Sequence, residues 1–286
     1  MPVEPPVASP RSLAEAYRLL AADAYRPVAG GTDLLVQITG ELGEPPERVL
    51  DIWHLDELRG IGVDADALVL GALTTYTEMR RSPLVAEFLP ALDEAAATIG
   101  AAQIQNRGTV GGNAVNASPA GDMLPLLLAC DAQLVVGSAR GERSVAAGEF
   151  WPAYRRTALA ADELLLRIRI PLISERQVRF RKIGTRRAQA ISKVVMALAW
   201  RADQASGSPW RDVRLALGSV AATPIRAPGT EAVLEGAFPD EPTADRAASM
   251  LASELHPIDD VRSTADYRRT VAARALHRLI REVGGW

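Results

Sequence analysis

The chain has 286 residues, 48% hydrophobic and 23% charged, with a formal net charge of -3; this is the composition of a globular protein long enough for two or three cored domains or subdomains. Its slightly acidic balance offers no general attraction to nucleic acid or to an anionic membrane surface. A single cysteine, Cys130, and three scattered histidines, His54, His256 and His277, exclude an internal disulfide and any Cys/His cluster with metal-ligand spacing, so neither an iron–sulfur centre nor a bound metal is expected in this chain.

Met1 to Pro10 lacks the basic and apolar regions of a signal peptide, and no apolar run approaches the roughly 20 residues of a membrane span, so a cytoplasmic protein is expected. Ser12 stands as the N-cap of an amphipathic helix over 13–22, with Glu15 placed to complete a capping box. A short strand at 26–29 then runs into the paired glycines of Ala29-Gly-Gly-Thr-Asp-Leu34 and an apolar helix over 34–38, with Thr32 and Asp33 at its start. The unpaired N–H groups and positive dipole end of such a helix favour a phosphate. Val49 to Ile52 is the next strand and closes a small α/β unit near residue 55.

A second α/β region opens with a hairpin, 61–63 and 68–71, turning around Asp64-Ala-Asp66. Thr74 to Glu78 offers caps for a short helix that Ser82-Pro83 ends, and the alanine-rich stretch 88–99 predicts a buried helix. It delivers the chain to the second glycine pair, in Thr109-Val-Gly-Gly-Asn-Ala-Val-Asn-Ala-Ser-Pro-Ala-Gly-Asp122, followed by a helix over 124–129 and strands over 133–136 and 163–170. Paired glycines remove the Cβ that holds a ligand away and reach φ > 0 cheaply, so consecutive N–H groups can converge on one anion. Two such segments suggest two jaws on one ligand; an ordinary tight turn is the alternative reading of each alone.

From about residue 176 the character changes. Stretches 178–183, 191–200 and 213–217 predict three strands, the last two joined by a turn through Asp203 to Pro209, and helices are predicted over 229–234, 243–255 and 264–283. The last of these carries a stripe at Tyr267, Val271, Ala275, Leu279 and Val283. An α+β protein is expected, with residues 176–286 a separate domain in which a three-stranded antiparallel sheet is covered by helices.

The two glycine segments are almost letter for letter those of the FAD-binding medium subunits of the molybdenum hydroxylases, the xanthine dehydrogenase and aerobic carbon monoxide dehydrogenase group, which the chain resembles. The resemblance continues through Phe150-Trp-Pro-Ala-Tyr-Arg-Arg-Thr157, through Lys182-Ile-Gly-Thr-Arg-Arg-Ala-Gln-Ala-Ile-Ser-Lys193 and on to Pro257-Ile-Asp-Asp-Val-Arg-Ser-Thr-Ala-Asp-Tyr-Arg268, covering essentially the whole chain. It implies a two-subdomain FAD-binding fold of the vanillyl-alcohol-oxidase (PCMH) type over 1–175, with subdomains of about 1–57 and 58–175, followed by the family's C-terminal domain, a three-stranded antiparallel sheet with a helical bundle. Carried over residue by residue, it implies that Pro27, Val28, Ala29, Gly30, Gly31, Thr32, Asp33 and Leu34 wrap the pyrophosphate and adenosine part of FAD. Thr109, Val110, Gly111, Gly112 and Asn113 hold its pyrophosphate and ribityl side, with the Thr109 hydroxyl and Asn113 amide as donors. Asp122 takes a ribose or ribityl hydroxyl, as a carboxylate can, while Leu165 lies near the ring system and Lys182 at the isoalloxazine edge.

Lys182 and Lys193 are the only lysines in a chain whose positive charge is otherwise arginine. A cation at the pyrimidine edge stabilises a reduced, anionic flavin; the plain alternative is an ammonium at a strand end in solvent. No aromatic residue lies in either glycine motif to cover a flavin, which leaves Trp151 or Tyr154 for that task. Some relatives insert a cysteine-rich loop with an extra cluster, which one cysteine cannot form. The implied assembly joins this chain to a small [2Fe–2S] subunit and a large molybdenum-cofactor subunit, as a dimer of heterotrimers. Two other readings compete: a free-standing flavin oxidoreductase with its own organic substrate, and a non-enzymatic FAD-binding module.

Overall fold

A computed structural model describes residues 5–40, 44–186, 189–202 and 208–286. Met1 to Glu4, the Arg187-Ala188 part of the 182–193 motif, and residues 203–207 of the expected turn lie outside them.

The first unit is built on a three-stranded parallel sheet. β1 (Val7–Ala8), helix α1 (Leu13–Ala22), β2 (Arg26–Val28), helix α2 (Leu34–Thr39) and β3 (Val49–Asp51) give the order β1-β3-β2. Ser12 caps α1 by accepting the Glu15 N–H, but the Glu15 carboxylate accepts from the Arg11 N–H, so the box is only half the expected one. Leu50 and Leu55 form its small core together with Ala16 and Leu20 of α1.

Next comes a five-stranded antiparallel sheet with helices packed against it. The expected hairpin is β4 (Ile61–Asp64) and β5 (Ala67–Gly71). Thr75 then closes a complete capping box with Glu78 at the start of α3 (Tyr76–Arg81). Ser82 both ends α3 and caps α4 (Pro83–Phe88), and Pro90 starts a separate helix α5 (Pro90–Ala97), so the single helix expected over 88–99 is broken at Leu89, whose backbone leaves the helical region. After α6 (Ala102–Gln105), α7 (Val110–Asn116) and α8 (Leu124–Ala129) come β6 (Gln133–Ser138), β7 (Gly141–Ala146), α9 (Ala147–Phe150) and β8 (Leu164–Pro171), in the order β4-β5-β8-β6-β7. A bulge where Val135 pairs Arg167 and Val136 pairs Leu165 sits at the inner end of β8.

The remaining strands, β9 (Arg176–Ile183), β10 (Val194–Arg201), β11 (Arg211–Gly218) and the two-residue β12 (Ile225–Arg226), make an antiparallel sheet in the order β12-β11-β10-β9. The three expected strands thus gain a short fourth. Helices α10 (Pro228–Leu234), α11 (Glu241–Glu254) and α12 (Ala265–Gly284) cover one face. Strand β10 is buried on both faces, as alternation dictates. Met196, Leu198 and Trp200 join the core under α11 and α12, while Val195, Ala197 and Ala199 join the large core shared with α8 and the five-stranded sheet. On α12 the fully buried line is Ala272, Leu276, Leu279 and Ile280 with Arg268, and Tyr267 is 42% exposed. A stripe spaced four apart drifts by about 40° per step against a 3.6-residue turn, so it leaves the core at its ends.

Arg268 ties α12 to the sheet: its guanidinium donates to the Ser219 carbonyl at 2.7 Å and to the Asp260 carboxylate at 2.5 Å. Burial works to raise the Asp260 carboxyl, but the Arg262 and Ser263 N–H groups and the Arg268 and Arg262 guanidinium groups overcome it and hold it at about 2, below the usual 3.8. A carboxyl lowered in this way contributes stability that is present above its unfolded value and lost as the pH falls toward 2. Asp260→Asn is therefore expected to lower the melting temperature at pH 7, with the gap to the native chain narrowing between pH 4 and pH 2; thermal melts across that range check it.

Candidate functional site

A cavity of about 570 Å³ opens between the first unit and the five-stranded sheet, within the roughly 300–1,000 Å³ of small-molecule sites. One wall is the chain from Pro27 to Leu34, another is the start of α7, and a third is the segment 155–165. Of the expected residues, Pro27 to Leu34, Thr109, Gly111, Gly112, Asn113 and Leu165 all line this single space. Val110, Asp122 and Lys182 are not on its wall. Val110 faces the core, and Asp122 and Lys182 are bound to each other at 2.6 Å.

The first glycine pair meets, backbone to backbone, the Arg107-Gly108 segment that leads into the second. A Cβ on Gly30 would stand 1.7 Å from the Arg107 carbonyl oxygen, so only glycine lets the first segment lie against the second. Gly31 has φ +76°, which turns the chain out of β2 toward α2. Among the described residues the N–H groups of Gly30, Gly31, Thr32 and Asp33 find no acceptor. Four consecutive free donors at one cavity are an anion-binding arrangement.

The second pair has a different cause from the one expected. It lies in a helix rather than a loop, with Thr109 as N-cap accepting the Gly112 N–H at 3.0 Å. Its other first-turn donors are spent within the protein: Val110 N–H goes to the Thr74 carbonyl, Gly111 N–H to that of Ala72 and Asn113 N–H to that of Thr109. Gly111 is needed because a Cβ there would lie 2.5 Å from the Ala72 oxygen, whereas a Cβ on Gly112 would meet only Thr109 Oγ1, at 2.9 Å. What α7 offers the cavity is side chains and bare surface: the Thr109 hydroxyl, the open face at Gly112, and Asn113, whose Oδ1 is buried with no partner among the described residues.

Tyr76, placed by its capped helix, also lines the cavity, with its ring against Gly108. In sequence the stretch 74–78 shows only its capping residues, and nothing there marks Tyr76 for the cavity. Burial, with the charges of Asp122 and Asp33 beside it, raises the Tyr76 hydroxyl far above its usual range, so it stays a neutral donor. Trp151 and Tyr154 do not reach the wall. Trp151 is buried and donates from Nε1 to the Ala114 carbonyl, and Tyr154 is 59% exposed. Glu163 stiffens the third wall: paired with Arg143 at 2.8 and 2.6 Å and accepting from the Ala160 N–H, it has its carboxyl held below the usual range, chiefly by Arg143.

Away from this wall, Asp122 accepts from Lys182 Nζ at 2.6 Å and from Ser192 Oγ at 2.9 Å, and Lys182 also donates to the Thr98 carbonyl. Burial pushes the Asp122 carboxyl upward while Lys182 and Ser192 pull against it. Lys182 is buried, so its ammonium is not a solvent-exposed strand end. Burial likewise pushes the Cys130 thiol up to about 12, which leaves it inert. No cluster of three or more His, Cys, Asp or Glu side chains among the described residues could hold a metal ion, and no helix among them is long and apolar enough to cross a membrane.

Residues 3–173 match the FAD binding domain in molybdopterin dehydrogenase, and residues 179–283 the CO dehydrogenase flavoprotein C-terminal domain. The glyceraldehyde dehydrogenase medium chain of Sulfolobus acidocaldarius is 32% identical over 274 residues, 95% of each chain. The carbon monoxide dehydrogenase medium chain of Hydrogenophaga pseudoflava is 32% identical over 280 residues, 95% of this chain and 94% of that one. In three dimensions, quinoline 2-oxidoreductase from Pseudomonas putida 86 superposes with a TM-score of 0.92 at 29% identity, covering 99% of this chain and 98% of that one.

The unequal surroundings of the glycines generate a contrast in stability. Gly30→Ala is expected to cost about 1–3 kcal/mol by forcing apart two backbone segments, whereas Gly112→Ala should leave stability within about 1 kcal/mol, since alanine suits a helix and meets one hydroxyl; chemical denaturation of the two variants compares them directly.

Proposed function

The chain belongs to the family of FAD-binding subunits of the molybdenum hydroxylases, and from that membership we propose that it is the electron-transfer member of a multi-subunit complex. FAD is its cofactor. In this reading a large partner subunit hydroxylates substrate at a molybdenum cofactor, a small partner with [2Fe–2S] clusters carries the electrons, and this chain passes them to an external acceptor such as NAD+, oxygen or a quinone. The complex is a dimer of such heterotrimers, and residues 1–175 of this chain hold the cofactor while 176–286 complete its support.

The observation that carries the proposal is the pairing of four free backbone donors with a buried, partnerless Asn113 Oδ1 around one cavity. Buried polar atoms are seldom left unbonded, so the residues present fit a polar, anionic dinucleotide. When bound, FAD supplies one- and two-electron redox chemistry that no side chain here could provide. The protein's part is to bind and orient it. The N–H groups of Gly30 to Asp33 serve the pyrophosphate, the bare surface at Gly112 admits it, and the Thr109 hydroxyl and Asn113 serve its ribityl side. Tyr76 adds a neutral hydroxyl and Leu165 an apolar wall. The family resemblance assigns Asp122 a cofactor hydroxyl and Lys182 the isoalloxazine edge, but the two lie off the cavity wall and neutralise each other, so in this reading they support the site as one unit from behind it. No general acid or base in this chain is required.

The purified chain is expected to show flavin absorption without iron–sulfur bands, and to have its FAD reduced by substrate only when the two partner subunits are added back. Turnover of an organic substrate by the chain alone would point to the free-standing oxidoreductase, and flavin binding without electron transfer in the rebuilt complex to a mere binding module. Gly112→Val should lose FAD on gel filtration while its melting temperature moves by about 2–4 °C, the cost of a disturbed cap; undiminished flavin absorbance in that variant would sink the assignment of α7 to the cofactor.

A further inference from the structure

The Phe150 to Thr157 motif has no task in the proposal above, yet its Arg155 lines the cavity. Arg155 sits at the tip of a tight turn: Ala153 and Arg156 bridge across it, and its own backbone is left-handed at φ +50°. An arginine in that conformation is unusual and costs free energy, which points to a constraint at the position. The turn is anchored to α7 by Trp151 Nε1, which donates to the Ala114 carbonyl at 2.8 Å.

Two neighbouring arginines are committed. Arg143 is paired with Glu163, and Arg140 with Asp162. Arg155 has one polar contact among the described residues, Nη1 to Asn116 Oδ1 at 3.3 Å, and no carboxylate partner among them. Within the same cavity the donors of the first turn of α7 are already spent, and Asp33, exposed and without an ion pair among the described residues, adds a negative charge. On the wall formed by Gly30 to Asp33, a pyrophosphate bearing two negative charges therefore meets neutral main-chain donors alongside a carboxylate that repels it. A guanidinium is the group that satisfies phosphate oxygens in pairs.

We infer that Arg155 is a cofactor-binding residue whose guanidinium neutralises the FAD pyrophosphate from the third wall of the cavity. The inference rests on the FAD reading of that cavity. Arg26, the other cavity-lining arginine free of a carboxylate among the described residues, is exposed at the start of strand β2, with no comparable turn to hold it toward the space.

The test measures the affinities of the full chain for FAD and for riboflavin, which carries no phosphate, by flavin fluorescence at low and high salt. Arg155→Gln is expected to raise the FAD Kd by about tenfold or more, to flatten its salt dependence, and to leave the riboflavin Kd unchanged, with Arg155→Lys recovering part of the loss. Asn116→Ala, which removes the polar contact of Arg155 seen among the described residues without touching its charge, should keep FAD affinity. An unchanged FAD Kd in Arg155→Gln, or equal losses for FAD and riboflavin, would overturn the inference, the latter marking a purely structural role. A native chain that takes up no FAD would instead overturn the functional reading on which it rests.

Discussion

Everything about the cavity depends on one close approach, that of Gly30 to the Arg107 carbonyl. It brings the end of a parallel strand in the first unit against the segment that leads into α7 of the second, with no side chain between them. Because the contact is backbone to backbone, the distance between the two cavity walls is set by covalent geometry and hydrogen bonds rather than by side-chain packing, which is the more rigid arrangement. Tyr76 adds to it from the second unit, its N–H donating to the Gly108 carbonyl. The free donors of Gly30 to Asp33 are a by-product of the same geometry: the chain has left the sheet at Val28 and has not yet entered α2, so no neighbour claims them.

A second continuous feature is polar and buried. From Asp260 the bonds run through the Arg268 guanidinium to the Ser219 carbonyl, from the Ser219 hydroxyl to Ser192, and from Ser192 to Asp122, where Lys182 closes the series against Thr98. Low local polarity strengthens each bond of such a series, and only Arg268 Nε within it is buried with no partner among the described residues. It joins the C-terminal sheet and α12 to the helical layer over the five-stranded sheet, so Asp122 and Lys182 belong to two parts of the chain at once.

Much of this was legible in the residues themselves, because local chemistry agrees with the final fold. Helix α1, the 61–71 hairpin and strands β9 to β11 follow from capping, turn residues and alternation. The glycine motifs marked the cavity, and Thr109, Asn113 and Leu165 stand on its wall. What could not be read is tertiary. The two glycine pairs look alike as letters, yet one leaves its donors free and the other has its neighbouring donors taken by Ala72, Thr74 and Thr109, because distant carbonyls are aligned to accept only from the second. Tyr76 looked like part of a cap, and its second role appears only when Gly108 is laid against it. Strand β7, with Glu142, Arg143 and Ser144 exposed at a sheet edge, carries too little apolar signal to announce itself. The buried face of α12 was misplaced by a fraction of a turn, since a spacing of four is not the period of a helix.

Strand β10 gives its odd-numbered side chains to one core and its even-numbered ones to another. That interleaving makes the chain hard to take apart. Two recognisable sequence modules meet between residues 173 and 179, but a cut made there strips Val195, Ala197 and Ala199 from the helices that cover them and bares the facing side of α8 as well. Each half keeps its smaller core, but the large shared one is opened. The modules can be exchanged between relatives only as a matched set, and swapping the C-terminal piece alone replaces half of the packing beneath the cofactor-bearing half of the molecule.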